Sequence, residues 1–178
     1  MKGIIFTNFA DFISDSFGLI AWQNVLDDTA LDADGCYVGT MTYPDNEFMT
    51  LFISACTHCQ RDAVHMQLEF GRWLFPILLS KSPEEVKLID NLKEFLFSID
   101  TVIHVEVKKL DPEAQTPSLH CTQLDEKTVC LDYLSSRGMG YLAQGLIEGA
   151  SLHFKETTTI AITPSESPEK FKIMVHFT

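Results

Sequence analysis

Among the residues of this chain whose type and position suggest chemistry, His104 is the strongest candidate. His104 lies in the stretch SIDTVIHVEVKKL, beside Ile103 on the flank of an apolar stripe. A helix there can hold its ring toward the protein interior. The imidazole can then bind a metal or act as a hydrogen-bonded core side chain. Because no generic metal-ligand spacing accompanies it, this stretch taken alone favours the core role.

Residues 131–137, which read LDYLSSR, offer a second polar set. If the chain is extended there, Tyr133, Ser135 and Arg137 share one face, because strand side chains alternate with a period of two. A guanidinium group binds a carboxylate bidentately and two hydroxyls can serve the remaining lone pairs, so the set suits one or two carboxylates. A polar, solvated strand face is the alternative, and it is favoured when the set is taken alone. Together with a histidine, however, this is what haem requires: an axial imidazole and partners for two propionates.

Further motifs run along the whole sequence. The chain opens with MKGIIF, has Tyr-Pro-Asp at 43–45 and Phe-Gly at 70–71, and continues after the histidine with Pro117, Tyr-x-Ser-x-Arg at 133–137 and GLIEGA at 145–150. With these motifs in this order, the sequence resembles the H-NOX family, the haem-nitric oxide/oxygen binding domains related to the haem domain of soluble guanylate cyclase. The resemblance covers essentially the whole chain.

The resemblance implies a site for haem b, with His104 as the metal ligand on the proximal side. Tyr133, Ser135 and Arg137 hold the propionates, and Ile5 and Pro117 press on the porphyrin. The full set of cofactor-binding residues implied is Tyr133, Ser135, Arg137, Ile5, Phe9, Leu74, Pro117, Leu142 and Leu146. Some bacterial members carry a zinc site near the last strands. No zinc is expected here, because no cysteine follows Cys130.

The distal side departs from the pattern of oxygen-binding relatives, which place a tyrosine three residues before the glycine matching Gly145. Here that residue is Leu142, and Tyr141 points about 100° away round a helix. Phe9, Leu74 and Leu142 would therefore form an apolar pocket without a hydrogen-bond donor. Stable O2 binding needs such a donor, whereas nitric oxide and CO bind ferrous haem without one. The expected selectivity is for NO and CO, with O2 excluded.

The family implies a gas sensor rather than an enzyme. NO on the distal side weakens or breaks the bond between iron and His104, and the 82–110 helix shifts. A partner in trans, such as a histidine kinase or a diguanylate cyclase, then responds to the shift.

Two other functional classes stay open: an O2-binding haem sensor or carrier, and a haem-independent thiol sensor that uses Cys56 and Cys59. An interaction module without a cofactor is a third, against which Tyr133, Ser135 and Arg137 argue.

Cys56 and Cys59 lie in the motif CTHC. One pair supplies only half of a structural zinc site, and a second pair is not evident. A thioredoxin-type motif would follow a strand, whereas this one lies in a predicted helix. Free cysteines, buried or half-buried, are the expectation. The five cysteines of the chain are an odd number and thinly spread, which favours reduced thiols over a disulfide framework.

The length and composition suit one domain of 178 residues, and the predicted elements make it α+β. The resemblance implies that residues 1–80 are a mainly helical distal part and that residues 82–178 contain the proximal histidine helix and the sheet. The net charge of −12 argues against nucleic acid and anionic membrane surfaces as partners. No apolar run reaches the length of a membrane span and the first residues lack a signal-peptide pattern, so a cytoplasmic location is expected.

Hydrophobic periodicity predicts the elements that position these residues. A helical stretch at 3–27 should break at Gly18, and a long helix should run from Ser82, its cap, to Leu110. The other predicted helices are 45–60, 61–79 and 139–154, and the strands are 118–123, 127–135, 157–163 and 170–177. The result is an N-terminal helical part followed by a four-stranded antiparallel sheet with a packed helix. The resemblance places haem between helices and sheet.

Overall fold

The computed structural model describes residues 1–112 and 114–178. The chain forms two compact units, Met1–Phe70 and Gly71–Thr178. The first is helical, and the second contains a four-stranded antiparallel sheet with helices, so the predicted α+β class is confirmed. That the chain acts as one haem-binding domain stays a prediction. Among the helices described, none combines the length and apolar character that crossing a bilayer requires.

The first unit consists of α1 (Gly3–Phe17), α2 (Leu19–Asp27), α3 (Asp45–His58) and the start of α4 (Ala63–Ser80). The predicted break between α1 and α2 is confirmed at Gly18, whose φ of 95° is a conformation that favours glycine. Aromatic rings fill the core: the Phe9 ring centroid lies 5.1 Å from that of Phe70 and 5.2 Å from that of Phe48. Both partners are fully buried, so this unit is stabilised mainly by aromatic packing.

A buried carboxylate ties the acidic connection between α2 and α3 to the helices. Oε1 of Glu47 accepts hydrogen bonds from the backbone N–H of Ala33 at 3.1 Å and from the hydroxyl of Tyr37 at 2.9 Å. A buried carboxylate requires such donors. The connection is therefore anchored to the helices, and Thr42 also forms an isolated β-bridge with Lys2.

The sheet of the second unit has the order β1-β2-β4-β3, with every neighbouring pair antiparallel. Its strands are β1 (Ser118–Asp125), β2 (Thr128–Leu134), β3 (Thr158–Pro164) and β4 (Lys170–Phe177), so β1 is an edge strand. Alternate residues of the central strands, such as Leu131 and its register partner Ile173, are fully buried. They form one core with Ile147 and Ala150 of α8 (Gly140–Phe154).

Helices α4 and α8 approach each other through glycines. A Cβ built on Gly71 would lie 2.8 Å from the carbonyl carbon of Gly145, and one built on Gly149 would lie 2.7 Å from the Cβ of Phe75. No side chain fits in that space, so glycine is required for the two backbones to come this close.

The stretch predicted as one helix from Ser82 to Leu110 is divided, and that prediction is wrong. It consists of α5 (Glu84–Lys87), α6 (Leu92–Ser98), a π-helical turn (Ile99–Ile103) and α7 (His104–Leu110). Ser82 does not cap it: its hydroxyl donates to the carbonyl of Leu78 at 3.0 Å. Instead α6 has its own cap, because Oδ1 of Asn91 accepts from the backbone N–H of Glu94 at 2.8 Å.

The π-helical turn also changes the direction in which the side chains of α7 point. One additional residue in a turn rotates everything that follows by about 100°. Leu92 and Leu96 of α6 are buried, whereas Leu110 at the end of α7 is 88% exposed. The apolar stripe therefore turns away from the core after Ile103.

Candidate functional site

His104 is the first residue of α7, directly after the π-helical turn, and its side chain is 16% exposed. Its Nδ1 lies 2.6 Å from Oδ1 of Asp100. A carboxylate only accepts hydrogen bonds, so Nδ1 carries the hydrogen and donates it. Nε2 is then the nitrogen whose lone pair can bind a metal.

Asp100 holds the histidine to the sheet as well. Its second oxygen, Oδ2, accepts from the backbone N–H of Leu119 in β1 at 2.7 Å. Next to this contact, Sγ of Cys121 donates to the carbonyl of Leu96 in α6 at 3.3 Å. Sequence reasoning missed Asp100, although an aspartate four residues before a histidine is a spacing at which helical side chains meet.

The environment of His104 favours the neutral ring. Burial lowers the pKa of His104, and the hydrogen bond to Asp100 only partly opposes that effect. The imidazole is therefore neutral at pH 7, the form that ligates metals. In the described part of the chain, no cluster of three or more His, Cys, Asp or Glu residues could hold a bare metal ion. Haem iron, in contrast, needs only an axial imidazole from the protein.

Tyr133, Ser135 and Arg137 lie close together, but they do not share one strand face as the sequence suggested. Strand β2 ends at Leu134, so of the three residues only Tyr133 belongs to it. A turn closed by the Gly138 N–H and the Ser135 carbonyl, 3.0 Å apart, carries the other two. The Tyr133 hydroxyl is hydrogen-bonded to Ser135 and lies near the charge of Arg137, while burial raises the pKa of Tyr133 overall. Its hydroxyl therefore stays protonated and can donate.

A cleft of about 320 Å³ opens beside this turn, and Thr116, Ser135, Arg137 and Glu169 are among its lining residues. Oγ1 of Thr116 is buried there and has no hydrogen-bond partner among the described residues. One guanidinium nitrogen of Arg137, Nη1, donates to the carbonyl of Gln115 at 2.8 Å. Hydroxyls and a guanidinium group around one cleft suit a carboxylate-bearing ligand.

Three of the predicted apolar residues lie where α4 meets α8. A Cβ on Gly71 would lie 2.7 Å from the backbone nitrogen of Leu146, and Leu142 is one turn earlier on the same helix. Leu74 follows Gly71 by one turn of α4 and is 1% exposed, while Leu142 and Leu146 are half-buried. The structure thus groups these three leucines around one helix crossing.

The remaining predicted haem contacts are Pro117 in the second unit and Ile5 and Phe9 in the first. Pro117 is half-buried directly before β1. Tyr141 packs against Phe171 with ring centroids 6.0 Å apart, as expected for a residue turned away from Leu142. In the first unit Ile5 is half-buried, and Phe9 is fully buried among aromatic rings.

The cysteine pair behaves as expected for structural thiols. Cys56 is half-buried in α3, Cys59 follows its end and is buried, and both are free thiols. This confirms the prediction. Burial, with a smaller contribution from Cys59, raises the pKa of Cys56 to about 11, and burial also raises that of Cys59. Because the thiolate is the reactive form, these thiols are poor candidates for a redox sensor.

The second unit thus supplies three environments: an imidazole with an available Nε2, a hydroxyl-guanidinium cleft and a group of leucines. An axial imidazole, partners for two propionates and an apolar surface for the porphyrin are what haem requires of a protein. The residues present fit this group.

Comparison with known proteins also indicates haem binding. A family model described as haem-NO-binding matches residues 2–162. The chain belongs to this haem-NO-binding family. The H-NOX resemblance is therefore confirmed, and the family is one of haem-binding sensor domains that bind diatomic gases and act on partner proteins.

Solved H-NOX structures share the whole fold. The unliganded Fe(II) H-NOX protein from K. algicida is 27% identical, with a TM-score of 0.92 over 100% of this chain and 97% of that chain. The S. oneidensis H-NOX protein in the Fe(II)NO state is 26% identical, with a TM-score of 0.90 over 100% and 99%. The IWP-051-bound H-NOX from Shewanella woodyi in the Fe(II)CO state is 29% identical, with a TM-score of 0.84 over 100% and 95%.

Proposed function

We propose that this H-NOX domain is a sensor of nitric oxide that binds haem b with His104 as the axial ligand. The observation that carries the proposal is the hydrogen bond from His104 to Asp100, because it leaves Nε2 available on a neutral, largely buried ring. Haem, when bound, supplies a ferrous iron with an open position for a diatomic gas. Tyr133, Ser135 and Arg137 hold the propionates, since Ser135 and Arg137 line one cleft and the Tyr133 hydroxyl interacts with Ser135.

Selectivity in this proposal depends on the side chains near the gas. Leu74, Leu142 and Leu146 meet at the α4–α8 crossing and carry no hydrogen-bond donor in their side chains. Because NO and CO bind ferrous haem without a donor and stable O2 binding needs one, the domain takes NO and CO and excludes O2. The Fe(II)NO and Fe(II)CO states of the S. oneidensis and Shewanella woodyi relatives support a ferrous iron that takes these two gases.

The roles of Ile5, Phe9 and Pro117 are carried over from the family. Ile5 and Pro117 press on the porphyrin, and Phe9 contributes to the distal pocket. Shortening Ile5 or Pro117 to alanine should change the haem spectrum if either side chain touches the porphyrin. A spectrum unchanged by both substitutions would remove these two residues from the site.

The output is a movement of His104 and α7. The π-helical turn at Ile99–Ile103 adjoins α7, and such turns depart from regular α-helical bonding and occur frequently at functional sites. A partner in trans, a histidine kinase or a diguanylate cyclase, responds to this movement, and the domain itself performs no catalysis.

The five free thiols suit a reducing compartment, and we assign the domain to the cytoplasm.

An absorption spectrum of the reduced protein, exposed in turn to air and to NO, tests the proposal. The expected result is a five-coordinate ferrous Soret band that air leaves unchanged and NO shifts. His104→Gly should lose this band, and added imidazole should restore it. His120→Ala, which removes an exposed histidine of β1, should keep it.

The possible failures point to different alternatives. A stable oxy spectrum in air would overturn O2 exclusion and favour an O2 sensor or carrier. A Soret band that survives unchanged in His104→Gly would overturn the assignment of the ligand.

A further inference from the structure

Asp100 connects two elements through its two oxygens. Oδ1 accepts from Nδ1 of His104 at 2.6 Å, and Oδ2 accepts from the backbone N–H of Leu119 at 2.7 Å. A carboxylate engaged at both oxygens by donors on different elements cannot rotate without breaking a charge-assisted hydrogen bond. Asp100 lies inside the π-helical turn, so it fixes the ring at a point where the helix itself is irregular.

The contact to Leu119 gives a hydrogen-bond acceptor to a backbone N–H at the edge of the sheet. Among the described residues, strand β1 is paired with β2 alone, and the N–H groups on its other side lack a strand partner. Asp100 takes one of these donors. Within the sheet, Leu119 is the register partner of Tyr133. One continuous set of contacts therefore leads from His104 through Asp100 and Leu119 to the residue that begins the Tyr-x-Ser-x-Arg set.

We propose that Asp100 is a positioning residue that orients the His104 ring and couples it, through edge strand β1, to Tyr133. The inference rests on the proposed role of His104 as the haem ligand. In this arrangement a displacement of His104 pulls on Leu119, so that the edge strand responds together with α7.

Resonance Raman spectra of the reduced, haem-loaded protein test this role, since the iron–histidine stretching band reports directly on the ligand. Asp100→Ala should lower the frequency of that band and speed haem loss to apomyoglobin about 10- to 100-fold, as expected when a partner of a ligating histidine is removed. Asp100→Glu should recover part of both properties, because it restores a carboxylate.

Asp62→Asn is the matched control. Asp62 accepts from Nδ1 of His65 at 2.6 Å, the same kind of contact, on an exposed helix start. It should leave the band and the rate of haem loss unchanged. If Asp100→Ala does not fold, Asp100→Asn carries the same comparison, since it keeps an oxygen acceptor for the Leu119 N–H.

A stretching band and a haem-loss rate in Asp100→Ala equal to those of the unmodified protein would overturn the inference while leaving His104 as the ligand. Failure of the proposed function looks different. In that case the unmodified protein binds no haem, or its spectrum is indifferent to loss of His104.

Discussion

Gly71 of α4 lies directly against the backbone of Leu142 in α8: a Cβ at position 71 would come within 2.6 Å of the Leu142 carbonyl oxygen. Cβ atoms do not approach an oxygen so closely, so any larger residue at 71 must push the two helices apart. Leu74 and Leu142, which the proposed function places beside the gas, are carried by these two helices. Their spacing depends on the absence of one methyl group.

Gly71→Ala should therefore lower the free energy of unfolding by about 1–3 kcal/mol, the usual cost of an overpacked core. Thermal or denaturant unfolding measures the change. Gly39→Ala is the control, because the nearest atom to its added Cβ lies 3.8 Å away. That substitution should change the stability by no more than about 0.5 kcal/mol. Equal stabilities for the two variants would show that α4 and α8 can separate at little cost.

Introducing a hydroxyl at position 142 should change the gas selectivity. Leu142→Tyr places a hydrogen-bond donor where the side chain of Leu142 has none, and O2 binding needs such a donor. The reduced variant should give an oxy spectrum in air. Leu142→Phe supplies the ring without the hydroxyl and should not. An oxy spectrum in both variants would attribute the effect to ring size rather than to the donor.

The guanidinium group of Arg137 should contribute directly to haem retention. Arg137→Ala should weaken haem binding by about 1.5–3 kcal/mol, the range for a hydrogen bond to a charged group. Transfer of haem to apomyoglobin measures the loss. Lys172→Ala removes a cation of β4, whose side chain is 59% exposed and 3.8 Å from Asp132, and should have almost no effect. Similar losses in both variants would indicate a general effect of net charge.

Cysteine reactivity should follow burial. Burial raises the pKa of Cys56 to about 11 and that of Cys121 to about 12, and it also raises those of Cys59 and Cys130. A thiol is neutral below its pKa, so at pH 8 roughly one in a thousand Cys56 groups is thiolate. Titration with a disulfide reagent at pH 8 should show one fast thiol, the exposed Cys36, which Cys36→Ser removes. The other four should react more slowly at pH 8, and Cys56 should become reactive as the pH approaches 11.

Fast reaction of Cys56 at pH 8, followed by formation of a disulfide between Cys56 and Cys59, would contradict this prediction and favour the thiol sensor.

Much of the fold could be predicted from periodicity and from glycine. Gly18 ends α1 because its φ is positive, and the alternation of buried residues in β2 and β4 follows the pleat. The division of the 82–110 stretch was not predicted, because its apolar residues keep helical spacing on both sides of Asn91. That spacing favoured one continuous helix over a new helix capped by Asn91. The sequence Asn-x-x-Glu at 91–94 is a recognisable capping signal that the spacing argument overrode.

The candidate site shows a similar division. His104 and the Tyr-x-Ser-x-Arg residues could be named from the sequence, because their chemistry is specific to their side chains. The way they are assembled could not, since Ser135 and Arg137 reach the cleft through a turn that ends at Gly138. Asp100 was missed because its role depends on Leu119, and a backbone N–H leaves no mark in a sequence.

The π-helical turn at Ile99–Ile103 has a consequence for evolution. A homologue with an uninterrupted α-helix would reach the corresponding histidine with one residue fewer. An alignment of the two needs a gap of a single position before His104, and without it Asp100 is matched to an unrelated neighbour. Between such homologues the insertion or deletion of a single residue would by itself alter how the histidine is held.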